Sequence, residues 1–108
     1  MKVVFIAEPH SLEIKEMPAP EAGKGEVLLR VRAAGICGSD MHIYHGTNPL
    51  AKYPRIIGHE FAGEIVALGE GVEGLSVGDK VAVDPVTSCG ECYACSIGRR
   101  NVCERLEV

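Results

Sequence analysis

The chain has no tryptophan, no block of lysine or arginine, and no apolar run approaching membrane-spanning length. Each absence removes a class of function. Nucleic-acid binding draws on basic patches and aromatics interleaved with them. Here eleven Lys and Arg stand against fifteen Asp and Glu, a net charge of −4, so no nucleic-acid partner is expected. A transmembrane helix needs about 20 apolar residues, and no membrane partner is expected either. The run from Met1 to Ala7 is broken by Glu8 and Pro9, which leaves too short an apolar stretch for a secretory leader. With thiols kept for metal, the expected compartment is the cytoplasm.

Helical periodicity is also missing, since no window of ten or more residues sustains a 3.6-residue repeat. What remains is β-patterned. Lys2 to Ala7 and Leu12 to Met17 read as strands, and Pro18 to Gly25 as a loop. Glu26 to Ala34 alternates, with Val27, Leu29, Val31 and Ala33 on one face, as expected of a half-buried antiparallel strand. Ser39 or Asp40 is placed to cap a short helix reaching about Tyr44, with Gly46 ending it. Phe61 to Leu68 and Asp79 to Val83 are further strands. Short strands joined by Gly-rich connections predict a mainly β fold, a partly open barrel with short helices. At 108 residues and 11.5 kDa, one domain is expected, burying roughly two thirds of its unfolded surface.

Gly69, Gly71 and Gly74 spell G-x-G-x-x-G after a strand, but the next element is again a strand. No helix amino terminus is available for a pyrophosphate, and Glu70 and Glu73 would repel one. The segment reads as a turn.

Four of the five cysteines, Cys89, Cys92, Cys95 and Cys103, fall within fifteen residues at the spacing C-x2-C-x2-C-x7-C. Four thiolates around one ion leave no open position, so the expected occupant is structural zinc. Ferredoxin-type clusters close after three residues and continue with Pro, unlike the seven residues and Glu104 found here. A disulfide framework fits poorly with an odd cysteine count and no leader. Arg99 and Arg100 are the nearby counter-charges in sequence.

Cys37, His59 and Glu60 form a second set of ligand types, suited to zinc with an exchangeable position. Asp40 is available to fix a zinc-bound imidazole by accepting its second N–H. Ser39 and His42 lie three apart, on one face of a helical turn. A hydroxyl followed by an imidazole passes protons between a buried oxygen and solvent. The bland alternatives are a core cysteine, a chance His-Glu pair and a plain helix cap.

Taken together, Cys37-Gly-Ser39-Asp40-x-His42, Gly58-His59-Glu60-x-x-Gly63, Gly78-Asp79-Lys80-Val81 and the cysteine lobe resemble the zinc-dependent medium-chain alcohol and polyol dehydrogenases. The likeness spans almost the whole chain. It is strongest toward the sorbitol, threonine and sugar-acid dehydrogenases and the starvation-sensing-type oxidoreductases. The resemblance implies a GroES-like catalytic domain over residues 1–108 with a structural-zinc lobe at 86–104. It implies Cys37, His59 and Glu60 as catalytic-zinc ligands, Ser39 and His42 as proton relay, and Asp40 as the partner of His59. Cys89, Cys92, Cys95 and Cys103 would hold the structural zinc. The implied reaction is oxidation of a secondary alcohol, a polyol or sugar acid, with hydride passing to NAD(P). That cofactor would sit on a downstream Rossmann domain absent from this sequence, so the chain is expected to be an incomplete and inactive portion of an enzyme. An exposed edge and apolar surface should follow, and the full-length enzyme is expected to be a homo-oligomer.

Tyr44, Tyr53 and Arg55 are candidates for lining a substrate pocket, with Arg55 facing a sugar-acid carboxylate. Two other classes remain open: a non-catalytic structural-zinc adaptor using only the four-cysteine lobe, and a metal-free GroES-like co-chaperone, in which that lobe has no place.

Overall fold

The computed structural model describes residues 1–107. Strands β1 (Lys2–Ile6) and β2 (Leu12–Glu16) form an antiparallel hairpin in which Lys2 faces Glu16 and Ile6 faces Leu12. β3 (Val27–Ala34) leads into helix α1 (Gly38–Tyr44). After it come β4 (Arg55–Ile56), β5 (Phe61–Leu68) and β6 (Lys80–Ala82). The cysteine lobe holds a short helix α2 (Tyr93–Ser96) and a 3-10 turn at Arg100–Val102.

The strands build two antiparallel three-stranded sheets, in the orders β2-β1-β4 and β3-β5-β6. No strand pair joins one sheet to the other among the described residues, so the barrel is open. Two residues of β4 are too few to show alternation in sequence. Pairing of Ile56 with Phe5 and of Arg55 with Ile6 is what makes them a strand. The segment from Gly69 to Gly74 is a turn between β5 and β6, as expected.

The core is small. Val3 and Ile6 from β1, Ile43 from α1 and Ile65 from β5 are its buried aliphatic residues. Exposed surface totals 7933 Å², against about 5,800 Å² for a compact chain of this mass. The chain therefore buries roughly half of its unfolded surface rather than two thirds. On the β3–β5 sheet Val27, Leu29, Val31, Phe61, Val66 and Val83 line an open apolar groove of about 810 Å³. The alternation in β3 does not produce a buried face: Val31 is 51% exposed. Among the described residues nothing closes over that face, and register shifts at Leu28/Leu29 and Val31/Ala33 interrupt the pairing. This is the apolar exposure that the resemblance implied.

Gly69 pins the loop before β3 to the end of β5. Its N–H donates to Glu26 O at 2.8 Å, and Gly25 N–H donates to Glu70 O at 2.8 Å. A Cβ at Gly69 would lie 1.7 Å from the Gly23 carbonyl oxygen. Only glycine permits that backbone approach. No helix among the described residues is long and apolar enough to cross a membrane.

Candidate metal centres

Among the described residues, two groups of side chains bring ligand atoms within 4.8 Å of one another: Cys89, Cys92, Cys95 and Cys103, and separately Cys37, His59 and Glu60.

The lobe gathers its thiols by local hydrogen bonding. Cys92 N–H donates to Cys89 Sγ, Cys89 N–H to Cys103 Sγ and Arg105 N–H to Cys103 Sγ, each at 3.3 Å. Sulfur–sulfur distances are 3.5 Å for Cys89–Cys103 and 3.9 Å for both Cys89–Cys95 and Cys92–Cys103. A tetrahedral Zn–S bond of about 2.3 Å requires edges of about 3.8 Å, so the four sulfurs fit zinc. All five cysteines of the chain are free thiols, which removes the disulfide framework.

Arg100 Nε donates to Ser88 Oγ at 2.8 Å. Arg105 is a counter-charge that the sequence reading does not single out: its guanidinium reaches Glu91 at 2.5 Å while its backbone N–H donates to Cys103 Sγ. The Glu91 carboxylate, and after it the Cys89 thiolate, raise the Arg105 pKa. Glu91 stands between Cys89 and Cys92, so this ion pair ties the last ligand segment to the first. Its partners are fourteen residues apart, and no local pattern announces it.

The thiols are made unequal by their surroundings. Backbone N–H groups of Glu91 and Cys92 lower Cys89 to about 6, while desolvation raises Cys95 to about 11. Cys92 is lowered too, first by the backbone of Glu104. A depressed thiol stabilises the folded lobe through its thiolate. For Cys89 that contribution is complete above the ordinary value of 9.0 and is lost as pH falls through about 6. In the metal-free chain near neutral pH, iodoacetamide should therefore label Cys89 before Cys95. Equal labelling rates, read by peptide mass spectrometry, would contradict this.

The second group is assembled by strand pairing. Ala34, the last residue of β3, faces Phe61, the first of β5, and Gly35 N–H donates to Glu60 O at 2.8 Å. That pairing brings the residues just after β3 beside those just before β5, so Cys37 meets His59 and Glu60. Cys37 caps α1, a position assigned to Ser39 or Asp40 from sequence. Asp40 sits one turn in, and its Oδ2 accepts the Cys37 N–H at 3.1 Å. A carboxylate can reach back to the cap, whereas the Ser39 hydroxyl is turned elsewhere, 3.4 Å from His59 Nε2.

Asp40 is 5% exposed, and its Oδ1 has no hydrogen-bond partner. That atom faces His59 Nδ1 at 3.5 Å, long for a hydrogen bond but close for a charge pair. A buried acceptor aimed at one ring nitrogen turns the other, Nε2, toward Ser39 and the ligand cluster. This is the outer-shell arrangement of a metal-binding histidine, so the residues fit zinc.

Other sequence candidates do not converge. Ser39 and His42 share no hydrogen bond; His42 Nδ1 instead meets Thr47 Oγ1 at 3.0 Å. The Tyr53 hydroxyl donates to the Ile43 carbonyl, and Tyr44 packs edge-on between His10 and His45. Arg55 lies in β4 with Nε buried and unpartnered. None of the three lines the apolar groove.

Residues 23–108 match the family model of the alcohol dehydrogenase GroES-like domain, and the chain belongs to that family. It is 60% identical over 108 residues to starvation-sensing protein RspB of Escherichia coli (strain K12), covering 100% of this chain and 32% of that protein. It is 42% identical over 108 residues to L-galactonate-5-dehydrogenase of the same organism, with the same coverage of 100% and 32%. The crystal structure of a short chain alcohol dehydrogenase (rspB) from E. coli CFT073, complexed with cofactor NADH, superposes with a TM-score of 0.91. It is 58% identical, covering 100% of this chain and 31% of that one. The chain thus spans about a third of the length of the curated relatives it matches.

Proposed function

We propose that this chain is the amino-terminal, zinc-binding part of the catalytic domain of an oxidoreductase. The enzyme oxidises a secondary alcohol, a polyol or sugar acid, by hydride transfer to NAD(P). Residues 1–108 supply the catalytic-domain portion, with the structural-zinc lobe at 86–104, and a Rossmann domain elsewhere in the enzyme holds the nicotinamide. The observation that carries this reading is the group Cys37, His59 and Glu60 within 4.8 Å, backed by a buried Asp40 whose free Oδ1 faces His59. An adaptor that used only the four-cysteine lobe has no need of it.

Zinc held by these three residues supplies Lewis-acid polarisation of a substrate hydroxyl. The chain's own groups do the rest. Asp40 fixes the His59 ring through Nδ1, and its Oδ2 holds the start of α1. Ser39 Oγ, beside His59 Nε2, is placed to take a substrate proton, and the exposed His42, one turn along α1, passes it to solvent. The sugar-acid preference is supported by likeness to the L-galactonate enzyme.

A screen of secondary alcohols, polyols and aldonates with NAD and NADP, on an enzyme containing this chain in full, tests the reading. Zinc-dependent turnover of a polyol or aldonate is expected. Undiminished turnover in a Cys37→Ser variant would overturn it.

Gly35 gives an independent check on Glu60. A Cβ there would lie 2.7 Å from Glu60 Oε2 and 3.4 Å from Glu60 Cβ. Gly35→Ala should therefore displace the carboxylate and weaken metal binding at this group by about tenfold, with the lobe unaffected. Isothermal titration with zinc measures both sites.

A further inference from the structure

The turn after α1 carries a contact that the reaction above leaves unused. Gly46, at φ 72°, reverses the chain, and Thr47 returns over the last turn of the helix. Thr47 Oγ1 stands 3.0 Å from His42 Nδ1 and 3.3 Å from the His42 carbonyl oxygen. That carbonyl already accepts the N–H of Thr47 at 2.9 Å and the N–H of Asn48 at 3.3 Å. A carbonyl oxygen has two lone pairs and a hydroxyl a single proton. With the carbonyl served by two N–H donors, the hydroxyl proton goes to the nearer acceptor.

We propose that Thr47 is a positioning residue for His42: its hydroxyl donates to Nδ1, holding the neutral imidazole in the tautomer that carries its proton on Nε2. The geometry stands without any catalytic assumption. Its catalytic meaning rests on the relay reading of Ser39 and His42 given above.

The tautomer sets the direction of proton flow. A neutral ring with Nε2 protonated can accept only at Nδ1, the nitrogen that Thr47 covers. A proton that reaches the ring bonds to the Nδ1 lone pair, and Nε2–H is released to water; one proton enters, one leaves, and no electrons are exchanged. Exposure of His42 and Thr47 leaves the exit side open to solvent.

The test is ¹⁵N NMR of the histidine rings in this chain, with His42 assigned by His42→Gln. In the wild type, His42 Nε2 should be the protonated nitrogen and Nδ1 a hydrogen-bonded acceptor. Thr47→Val keeps the shape and the backbone N–H but removes the hydroxyl. It should move Nδ1 to the value of an unbonded acceptor and mix the tautomers, and Thr47→Ser should restore the wild-type signals. A wild-type ring protonated on Nδ1, or His42 signals unchanged in Thr47→Val, would overturn the proposal. In the full-length enzyme Thr47→Val should lower kcat by up to about a hundredfold, leaving KM nearly unchanged, with recovery in Thr47→Ser. An unchanged kcat alongside the expected ring signals would remove His42 from the relay and leave Thr47 without its catalytic role.

Discussion

Replacing Cys103 by serine should unfold the cysteine lobe, whereas replacing Cys37 by serine should spare the fold and abolish turnover in the full-length enzyme. Cys103 is the one buried member of the cluster, and its sulfur accepts N–H bonds from Cys89 and Arg105. The lobe has little else to hold it. Neither α2 nor the 3-10 turn contains a buried residue, and among the described residues the lobe's one strand-like contact is the isolated bridge between Thr87 and Glu107. In domains of this kind the binding free energy of structural zinc, about 10–16 kcal/mol in small zinc-dependent folds, is largely folding free energy. Losing one ligand of four should therefore cost several kcal/mol out of a typical total of about 5–15. Cys37 is different, because the backbone around it is held by the Asp40 carboxylate and by the β3–β5 pairing, neither of which needs the thiol. Melting curves with zinc analysis of both variants decide the matter. Equal destabilisation by the two changes would contradict this division of labour.

Gly69→Ala should be the most damaging change outside the metal groups. The added Cβ would lie 1.7 Å from Gly23 O and 2.8 Å from Glu26 O. Both are backbone atoms and cannot rotate away, so the loop before β3 must separate from the end of β5. The loss should reach about 3 kcal/mol and lower Tm by roughly 10–20 °C. Gly71→Ala is the control. Unlike Gly69 it has positive φ, at 80°, and nothing lies within 4 Å of its Cβ, so backbone strain of about 1 kcal/mol is all it should add. Similar Tm values for the two variants would show that the Gly69 contact is not what holds the loop.

Much of this molecule is written locally. Alternation in Leu12–Glu16 and the apolar run Phe61–Leu68 mark strands because side-chain direction repeats every two residues. The cysteine lobe is legible because metal ligands must converge within a few residues of chain. Features missed in the sequence depend on contacts far along it. β4 exists only through β1, and Arg105 matters only because the lobe folds Glu91 against it. Its residue type marks Asp40 as a partner for histidine, but not as the residue that also reaches back to Cys37. Thr47 meets His42 because Gly46 reverses the chain, a placement that residue type alone does not announce. Alternation along β3 misled in the other direction: it reports which side chains share a face and not whether anything covers that face.

The central claim is that one chain carries two metal sites of different chemistry, one of four sulfurs and one of sulfur, nitrogen and oxygen. Cobalt(II) titration of the metal-free chain, followed by visible absorption, tests it directly. Two binding phases with distinct spectra are expected, the first showing strong thiolate-to-cobalt charge transfer. Cys37→Ser should delete only the second phase and Cys103→Ser should disrupt the first. A single phase that Cys37→Ser leaves unchanged would contradict the account.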